Sequence, residues 1–222
     1  VRPPVPSLVS LVAQGGECRR MMGLALKNVG LTLYQDGKSI FQEQGEALFT
    51  HFGLSGPLVL SASAHLGDLA KHRYEVGFDL KPALSHEQLY ARLNRDLTAL
   101  ANRDAANCLV KLLPASMQPV MVERWGVDPA KKANQLTKEE RLALVDLMKD
   151  FRIRIRDRGD LEHAVITSGG VTVKEVDPRT MASKKCPGLY FAGEVLDVDA
   201  YTGGYNLQIA WCTAQAAARG LA

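Results

Sequence analysis

The sequence predicts an α+β fold, in which a small, mainly antiparallel sheet and a helical region precede a strand–turn–helix segment. Two changes in hydrophobic period along the 222 residues lead to this prediction. Apolar residues alternate along much of residues 1–82, follow helical spacing through residues 83–150, and alternate again from Phe151 onward. A third observation is the pair Gly203-Gly204, which stands before an Ala-rich stretch and indicates a helix start.

Two predicted strands form a hairpin in the first region. Asn28–Tyr34 is rich in β-branched and alternating residues, Asp36-Gly37 is a hairpin turn pair, and Ser39–Phe49 continues as the partner strand. Arg73–Leu80 alternates again and places its apolar residues on one face. This part of the chain is therefore expected to be a small sheet.

The helices are predicted from the residues at their starts. Ser55 is a suitable N-cap and Pro57 fits the first turn, so residues 56–66 are expected to be helical. Two capping boxes open longer helices: Ser85 with Gln88, and Thr137 with Glu140. Shorter helices are expected over Ala105–Leu113 and Ser116–Trp125.

The segment from Leu189 onward has the pattern of a ligand-binding strand–turn–helix unit. Leu189–Ala192 is a short apolar run bounded by turn residues, as in a fully buried parallel strand. Gly193 permits close approach of the backbone, and Glu194 places a carboxylate at the strand end, where open α/β sheets bind ligands. The N–H groups after Gly203-Gly204 favour an anionic group such as reduced flavin. The alternative is a tight turn and a solvated carboxylate.

Three sequence blocks carry a family resemblance: ALFTHFGLSGP at 47–57, AVITSGGVTVKEVDPRTMASK at 164–184 and GLYFAGEVLDVDAYTGGYNLQIA at 188–210. Together they resemble the C-terminal portion of the YhiN-type bacterial flavoproteins, which are NAD(P)/FAD-dependent oxidoreductases. That group includes aminoacetone-oxidase-like enzymes and a bile-acid dehydro-reductase. The resemblance covers nearly the whole chain. It departs at Cys212–Gln215, where the family more often has small residues ending in Ser-Gly or Thr-Gly.

The resemblance implies a glutathione-reductase-like α/β FAD-binding domain that is interrupted by an insert domain. Residues 1–160 would be the insert, which covers the substrate, with a sheet part at 1–82 and a helical part at 83–150. Residues 161–222 would be the returning C-terminal part of the FAD-binding domain. The resemblance also implies ten FAD-contacting residues: Thr167, Gly169, Gly170, Gly193, Glu194, Gly203, Gly204, Tyr205, Asn206 and Leu207.

The implied function is hydride transfer by FAD between a nicotinamide cofactor (NADH or NADPH) or oxygen and a small organic substrate. The chain has no N-terminal GxGxxG and begins at Val1 in a Pro-rich stretch. We therefore expect a fragment that is inactive alone and whose partner is the missing N-terminal half of the FAD domain. One alternative is a non-catalytic folding or partner-binding module. Another is a flavin-dependent RNA-modifying enzyme, which is weaker because the sequence has no long basic stripe.

Composition excludes some classes of protein. The net charge is only +3, with 46% hydrophobic and 23% charged residues, which is typical of a globular protein and argues against nucleic acid as a partner. The four cysteines are widely scattered, so we expect no metal site. The sequence has no secretory signal and no apolar run long enough to cross a bilayer, so a cytoplasmic location is expected.

The sequence identifies no catalytic acid or base. His51 has a suitable intrinsic pKa, but we expect it to shape a turn because no carboxylate lies near it in sequence. The remaining histidines are expected to be surface or packing residues: His65, His72, His86 and His163. Arg152, Arg154 and Arg156 share one strand face, where they either pair with acids or attract a phosphate.

Overall fold

The computed structural model describes residues 1–221, and its strands fall into two sheets. In chain order the strands are β1 (Arg2–Ser7), β2 (Leu11–Ala13), β3 (Ala25–Gln35), β4 (Lys38–Phe49), β5 (Gly53–Ser55), β6 (Tyr74–Asp79), β7 (Phe151–Arg158) and β8 (Ile166–Gly170). Six strands close into a barrel in the order β2-β5-β4-β3-β6-β7, with every pair antiparallel. The predicted antiparallel sheet is therefore confirmed, but it closes into a barrel.

The barrel interior follows from the alternation in its strands. Leu31 and Leu33 of β3 and Ile153 and Ile155 of β7 are buried, while the residues between them face outward or are partly covered. The β3–β4 hairpin turns at Asp36-Gly37, where both residues have positive φ, 51° and 81°. This is the backbone that a two-residue hairpin turn requires, and it confirms the predicted turn.

Among residues 1–221, six α-helices accompany the strands: α1 (Glu17–Arg20), α2 (Pro57–Ser63), α3 (His86–Ala99), α4 (Gln118–Trp125), α5 (Lys138–Lys149) and α6 (Tyr205–Leu221). Both predicted capping boxes are formed at the starts of α3 and α5. The helix predicted over Ala105–Leu113 is wrong, because only a 3₁₀ turn over Ala105–Asn107 is present. The N–H groups of Ala105 and Ala106 donate to the carbonyls of Lys131 (2.8 Å) and Pro129 (3.1 Å). Hydrogen bonds to a later segment of the same chain therefore hold these residues in place of helical ones.

Helix α2 begins one residue later than predicted. Ser55 lies in β5 and accepts a hydrogen bond from the hydroxyl of Ser10 (2.8 Å), so it does not cap the helix. The N-cap is Gly56, whose φ of 92° favours glycine. The helix ends at Ser63, whose hydroxyl donates to the Leu60 carbonyl (2.7 Å) and accepts from the N–H of Val9 (2.9 Å).

The buried parallel strand predicted at Leu189–Ala192 is wrong. Leu189 is 43% exposed, and the segment makes only an antiparallel bridge between Tyr190 and Ala182. A buried parallel strand needs neighbouring strands, and within residues 1–221 the C-terminal part has one strand pair, the antiparallel β1–β8, and otherwise isolated bridges. A small separate core of Val176, Met181 and Leu196 holds this part together.

The proposed division of the chain at residue 160 stays a prediction. The β1–β8 pair crosses that boundary, since Ser7 lies opposite Ile166 and Val5 opposite Ser168. This pairing links the start of the chain to the C-terminal part and brings the barrel beside it. Within the described part of the chain, no helix has both the length and the apolar character needed to span a bilayer.

Candidate functional site

The start of α6 meets the requirements of a ligand-binding helix N-terminus. Gly203 and Gly204 precede it with φ of 111° and 88°, and a Cβ added to Gly204 would meet no atom within 4 Å. The first intrahelical backbone bond runs from the N–H of Gln208 to the carbonyl of Gly204 (3.0 Å). The N–H groups of the residues before Gln208 have no acceptor inside the helix, so this end attracts negative charge.

Asn206 fixes the loop that leads into α6. Its Oδ1 accepts a hydrogen bond from the N–H of Ala200, and its Nδ2 donates to the Ala200 carbonyl, both at 2.8 Å. The side-chain amide of Asn206 therefore holds the loop, and its backbone N–H is one of the open N–H groups at the helix start. Asp199, one residue before Ala200, accepts from the hydroxyl of Ser7 (2.7 Å), which links the loop to β1.

Glu194 lies in a 3₁₀ turn over Gly193–Val195 and contacts β8. Its Oε1 accepts from the N–H of Thr167 (2.6 Å) and from the Thr167 hydroxyl (3.0 Å). The turn is held by bonds from the N–H of Gly193 to the hydroxyl of Thr213 (2.9 Å) and from the N–H of Val171 to the Val195 carbonyl (2.8 Å). A carboxylate has two acceptor oxygens, so Oε2 can take hydrogen bonds from ligand hydroxyls.

Close backbone packing explains why two of the predicted FAD-contacting residues are glycines. Gly169 and Gly170 have φ of 108° and 113°, and a Cβ would collide with the carbonyls of Pro3 and Val195 respectively. Both positions therefore require glycine whether or not a ligand is present. Gly204 differs from them because nothing in the protein fills the space beside it.

Four of the ten predicted residues line one cavity. It has a volume of about 240 Å³, and its lining residues are Ile166, Gly193, Glu194, Val198, Asn206, Leu207, Ile209 and Ala210. Thr167 does not line the cavity but donates a hydrogen bond to Glu194, which does. Gly203, Gly204 and Tyr205 lie at the helix start, next to the lining residue Asn206. The residues fit a nucleotide-type cofactor, because an open helix N-terminus and a hydroxyl acceptor converge there. That these ten residues bind FAD stays a prediction.

A larger cavity, of about 410 Å³, lies between the end of α2 and the loop before α6. It is lined by Ala64, His65, Asp199, Ala200, Tyr201 and Tyr205. The Nε2 atom of His65 and the hydroxyl of Tyr201 are 2.6 Å apart. Phe41 packs against the His65 ring with centroids 4.8 Å apart. No sequence pattern points to this pair, because the two residues are 136 positions apart.

The charge state of His65 is set mainly by its surroundings. Burial lowers the pKa of His65 below its ordinary value, and the nearby carboxylate of Asp199 opposes this effect to a smaller extent. The neutral form of His65 is therefore favoured at pH 7, and in that form one ring nitrogen is a donor and the other an acceptor. A neutral imidazole beside a phenol can pass a proton in either direction.

The turn at His51 and the side chain of Arg152 are held by contacts within the protein. Thr50 accepts from the N–H of Gly53 (3.0 Å), and the exposed ring of His51 lies edge-on to Phe52, as expected for a turn. Arg152 pairs with Asp150 (2.7 Å) and also with Glu75 (3.3 Å). The next two arginines of that strand face, Arg154 and Arg156, are exposed.

The barrel and its helices also match a known family. Residues 5–166 match the HI0933-like protein barrel and H2TH domain, in agreement with the closed barrel and the helices that follow β6. The chain belongs to the HI0933-like family. The match covers the barrel, α1 to α5 and the start of β8, and it leaves the cavity-lining turn at Gly193–Val195 and α6 outside it.

Relatives of this HI0933-like chain carry two different names. The ribosomal RNA dihydrouridine synthase of Escherichia coli is 34% identical over 92% of the chain and 48% of its own length. The synthase of the same name from Haemophilus influenzae is 34% identical over 82% of the chain and 43% of its length. The 3-dehydro-bile acid delta(4,6)-reductase of Clostridium scindens is 30% identical over 99% of the chain and 54% of its length. The chain thus spans about half the length of these relatives.

Proposed function

We propose that this chain is part of a FAD-dependent oxidoreductase that adds two hydrogens to a carbonyl-conjugated double bond in a ring. The observation that carries the proposal is the pair of names among its relatives. Dihydrouridine is uridine with two added hydrogens, and a 3-dehydro-bile acid delta(4,6)-reductase acts on a ring system beside an oxo group. Both names describe reduction of an unsaturated, carbonyl-bearing ring.

Within this proposal, the residues of the 240 Å³ cavity hold the cofactor. With FAD bound, the N–H groups at the start of α6 would stabilise negative charge on the cofactor, and Glu194 would accept hydrogen bonds from its hydroxyls. FAD supplies the hydride when it is bound. The open space at Gly204 would let the cofactor approach the helix without a Cβ in the way. We retain NADH or NADPH as the proposed electron source.

Uridine in RNA is our first candidate substrate. Two relatives, from two organisms, are named for the synthesis of dihydrouridine in ribosomal RNA, and uridine is the unreduced form of that product. A small free ring compound, as the sequence led us to expect, is the second candidate, because the bile-acid reductase matches 99% of the chain. The YhiN-type assignment, the insert arrangement with a glutathione-reductase-like domain and the inactivity of the chain alone belong to this proposal.

Product analysis separates the two substrates. The whole protein containing this chain is loaded with FAD, reduced with NADPH or NADH, and mixed under anaerobic conditions with ribosomal RNA or with a 3-oxo steroid carrying conjugated double bonds. Mass spectrometry of RNA nucleosides then detects a gain of two hydrogens on uridine, and the steroid is analysed in the same way. Reduction of RNA supports the first candidate and reduction of the steroid supports the second. Reduction of neither, with flavin bound and reducible, would overturn the proposed reaction.

A further inference from the structure

The pair His65–Tyr201 lines a cavity that shares a structural element with the proposed cofactor site. Tyr201 stands in the loop that Asn206 fixes, and Tyr205, the first residue of α6, lines the same cavity. We propose that Tyr201 donates a proton to the substrate in this cavity and that His65 returns the proton to Tyr201. This inference rests on the proposed function and names the acid of that reaction.

The position of Tyr201 suits a residue that touches substrate. Its side chain is partly open to the cavity, with 42% of the residue exposed, while its hydroxyl is held 2.6 Å from Nε2 of His65. A general acid must reach its substrate directly and must also be resupplied with protons. His65 is half-buried behind it and fits the second role.

Both residues are held in place by their neighbours. Phe41 of β4 packs against His65 at 4.8 Å and against Tyr201 at 6.1 Å between ring centroids. The backbone next to Tyr201 is fixed by the two hydrogen bonds between Ala200 and Asn206. The pair therefore joins the barrel to the loop before α6, with packing or hydrogen-bond contacts on both sides.

The cavity has a size and a lining that suit a small ring substrate. Its volume of about 410 Å³ lies in the range of small-molecule sites, which is roughly 300–1,000 Å³. The titratable side chains that line this cavity with His65 are Tyr201, Asp199 and Tyr205, and Phe41 is the apolar neighbour of His65. Two of the cavity's lining residues are aromatic, Tyr201 and Tyr205, which suits a flat, unsaturated ring.

The atoms and electrons of the reaction balance with one proton from this pair. One ring carbon gains a hydride from a reduced flavin or nicotinamide donor, which is oxidised. The electron pair of the double bond moves toward the carbonyl, and the other carbon takes the proton of the Tyr201 hydroxyl. The O–H bond of Tyr201 breaks as the C–H bond forms. A solvent proton taken up at the other ring nitrogen of His65 allows Nε2–H to protonate the phenolate, so the imidazole ends neutral.

The test compares the two half-reactions in the holoenzyme. In Tyr201→Phe, reduction of the flavin by the nicotinamide donor should keep its normal rate. Reoxidation by substrate should slow by about 10²–10⁴-fold, the usual contribution of a general acid. His65→Gln should slow the same step less and should shift its pH profile. Tyr190→Phe is the matched control, because it removes a hydroxyl bonded to the Gly220 carbonyl (3.3 Å) away from this cavity.

A second readout does not need turnover. NMR titration of the His65 ring should show a changed pKa in Tyr201→Phe and an unchanged one in Tyr190→Phe. A wild-type rate of substrate reoxidation in a folded Tyr201→Phe enzyme would overturn the proposal. So would a His65 ring that does not respond to the loss of the Tyr201 hydroxyl. If the wild-type enzyme reduces neither candidate substrate, the proposed function fails, and the NMR result alone decides whether the pair exists.

Discussion

One carboxylate oxygen of Glu194 accepts hydrogen bonds from both the N–H (2.6 Å) and the hydroxyl (3.0 Å) of Thr167. This interaction connects the turn at Gly193–Val195 to β8 and orients the second carboxylate oxygen. The two predicted cofactor residues thus act as a unit, in which Thr167 positions Glu194. In the sequence they stand in separate blocks, 27 positions apart.

Glu194→Gln should weaken FAD binding without unfolding the protein. The amide oxygen can still accept from Thr167, but the charge that strengthens hydrogen bonds to ligand hydroxyls is lost. We expect the Kd for FAD to rise about 10-fold, which corresponds to about 1.4 kcal/mol. Titration of the apoprotein with FAD, followed by flavin fluorescence, measures this. Glu162→Gln, on an exposed turn, is the control. Equal affinity in both variants would remove Glu194 from the cofactor site.

Gly204→Val should abolish flavin binding. A valine side chain there would occupy the open space beside the start of α6 and keep a ligand from the backbone. Gly188→Val is a closely matched control, since Gly188 also has a positive φ (81°) and no atom within 4 Å of an added Cβ. Both variants should lose similar stability, a cost of roughly 1–2 kcal/mol for the left-handed backbone. Absorbance spectra of the purified proteins should show flavin only in Gly188→Val. A fully loaded Gly204→Val protein would contradict our assignment of this helix.

Arg154 and Arg156 provide a test of the RNA substrate. Both are exposed on the outer face of β7, and neither has an acidic side chain within 4.0 Å among residues 1–221. If RNA lies along this face, the double variant Arg154→Glu/Arg156→Glu should bind RNA more weakly. The slope of log K against log salt concentration should also become shallower, by about 1 for each phosphate that is no longer neutralised. Lys174→Glu, outside the barrel, is the control. Unchanged RNA affinity in the double variant would exclude this face from RNA binding.

His65 should titrate at a lower pH than an ordinary histidine. Burial lowers its folded-state pKa below the usual 6.5, with Asp199 opposing. The folded protein therefore resists protonation, and the stability contributed by His65 is present above pH 6.5 and is lost as pH falls through the folded pKa. Wild-type protein should lose more stability than His65→Gln between pH 7 and pH 5 in denaturant titrations. An equal loss in the two proteins would contradict the shift.

Local features of the fold could be predicted because their causes are local. The Asp36-Gly37 turn and the capping boxes at Ser85 and Thr137 depend on residues within three positions of one another. Closure of the barrel could not be predicted in this way. It depends on β2 and β5, which have three residues each and are defined by pairing with distant strands.

The candidate site likewise combines features that the sequence predicts with features that depend on residues distant in the sequence. The Gly203-Gly204 start of α6 follows from the sequence, and the structure brings four predicted residues into one cavity. The prediction of a buried strand at Leu189–Ala192 is wrong, because a short apolar run fits several structures and its neighbours decide among them. The His65–Tyr201 pair has no sequence signal, since it forms only when α2 and the loop before α6 come together.

The most direct test of the account is the visible absorbance of the whole protein that contains this chain, mixed with FAD and freed of unbound cofactor. We expect flavin bands that bleach with NADPH or NADH under anaerobic conditions and return when ribosomal RNA or a conjugated 3-oxo steroid is added. Bleached bands that return with neither substrate would overturn the proposed reaction and leave the flavin site standing. A colourless protein after mixing with FAD would contradict the central claim that the start of α6 and Glu194 hold a flavin.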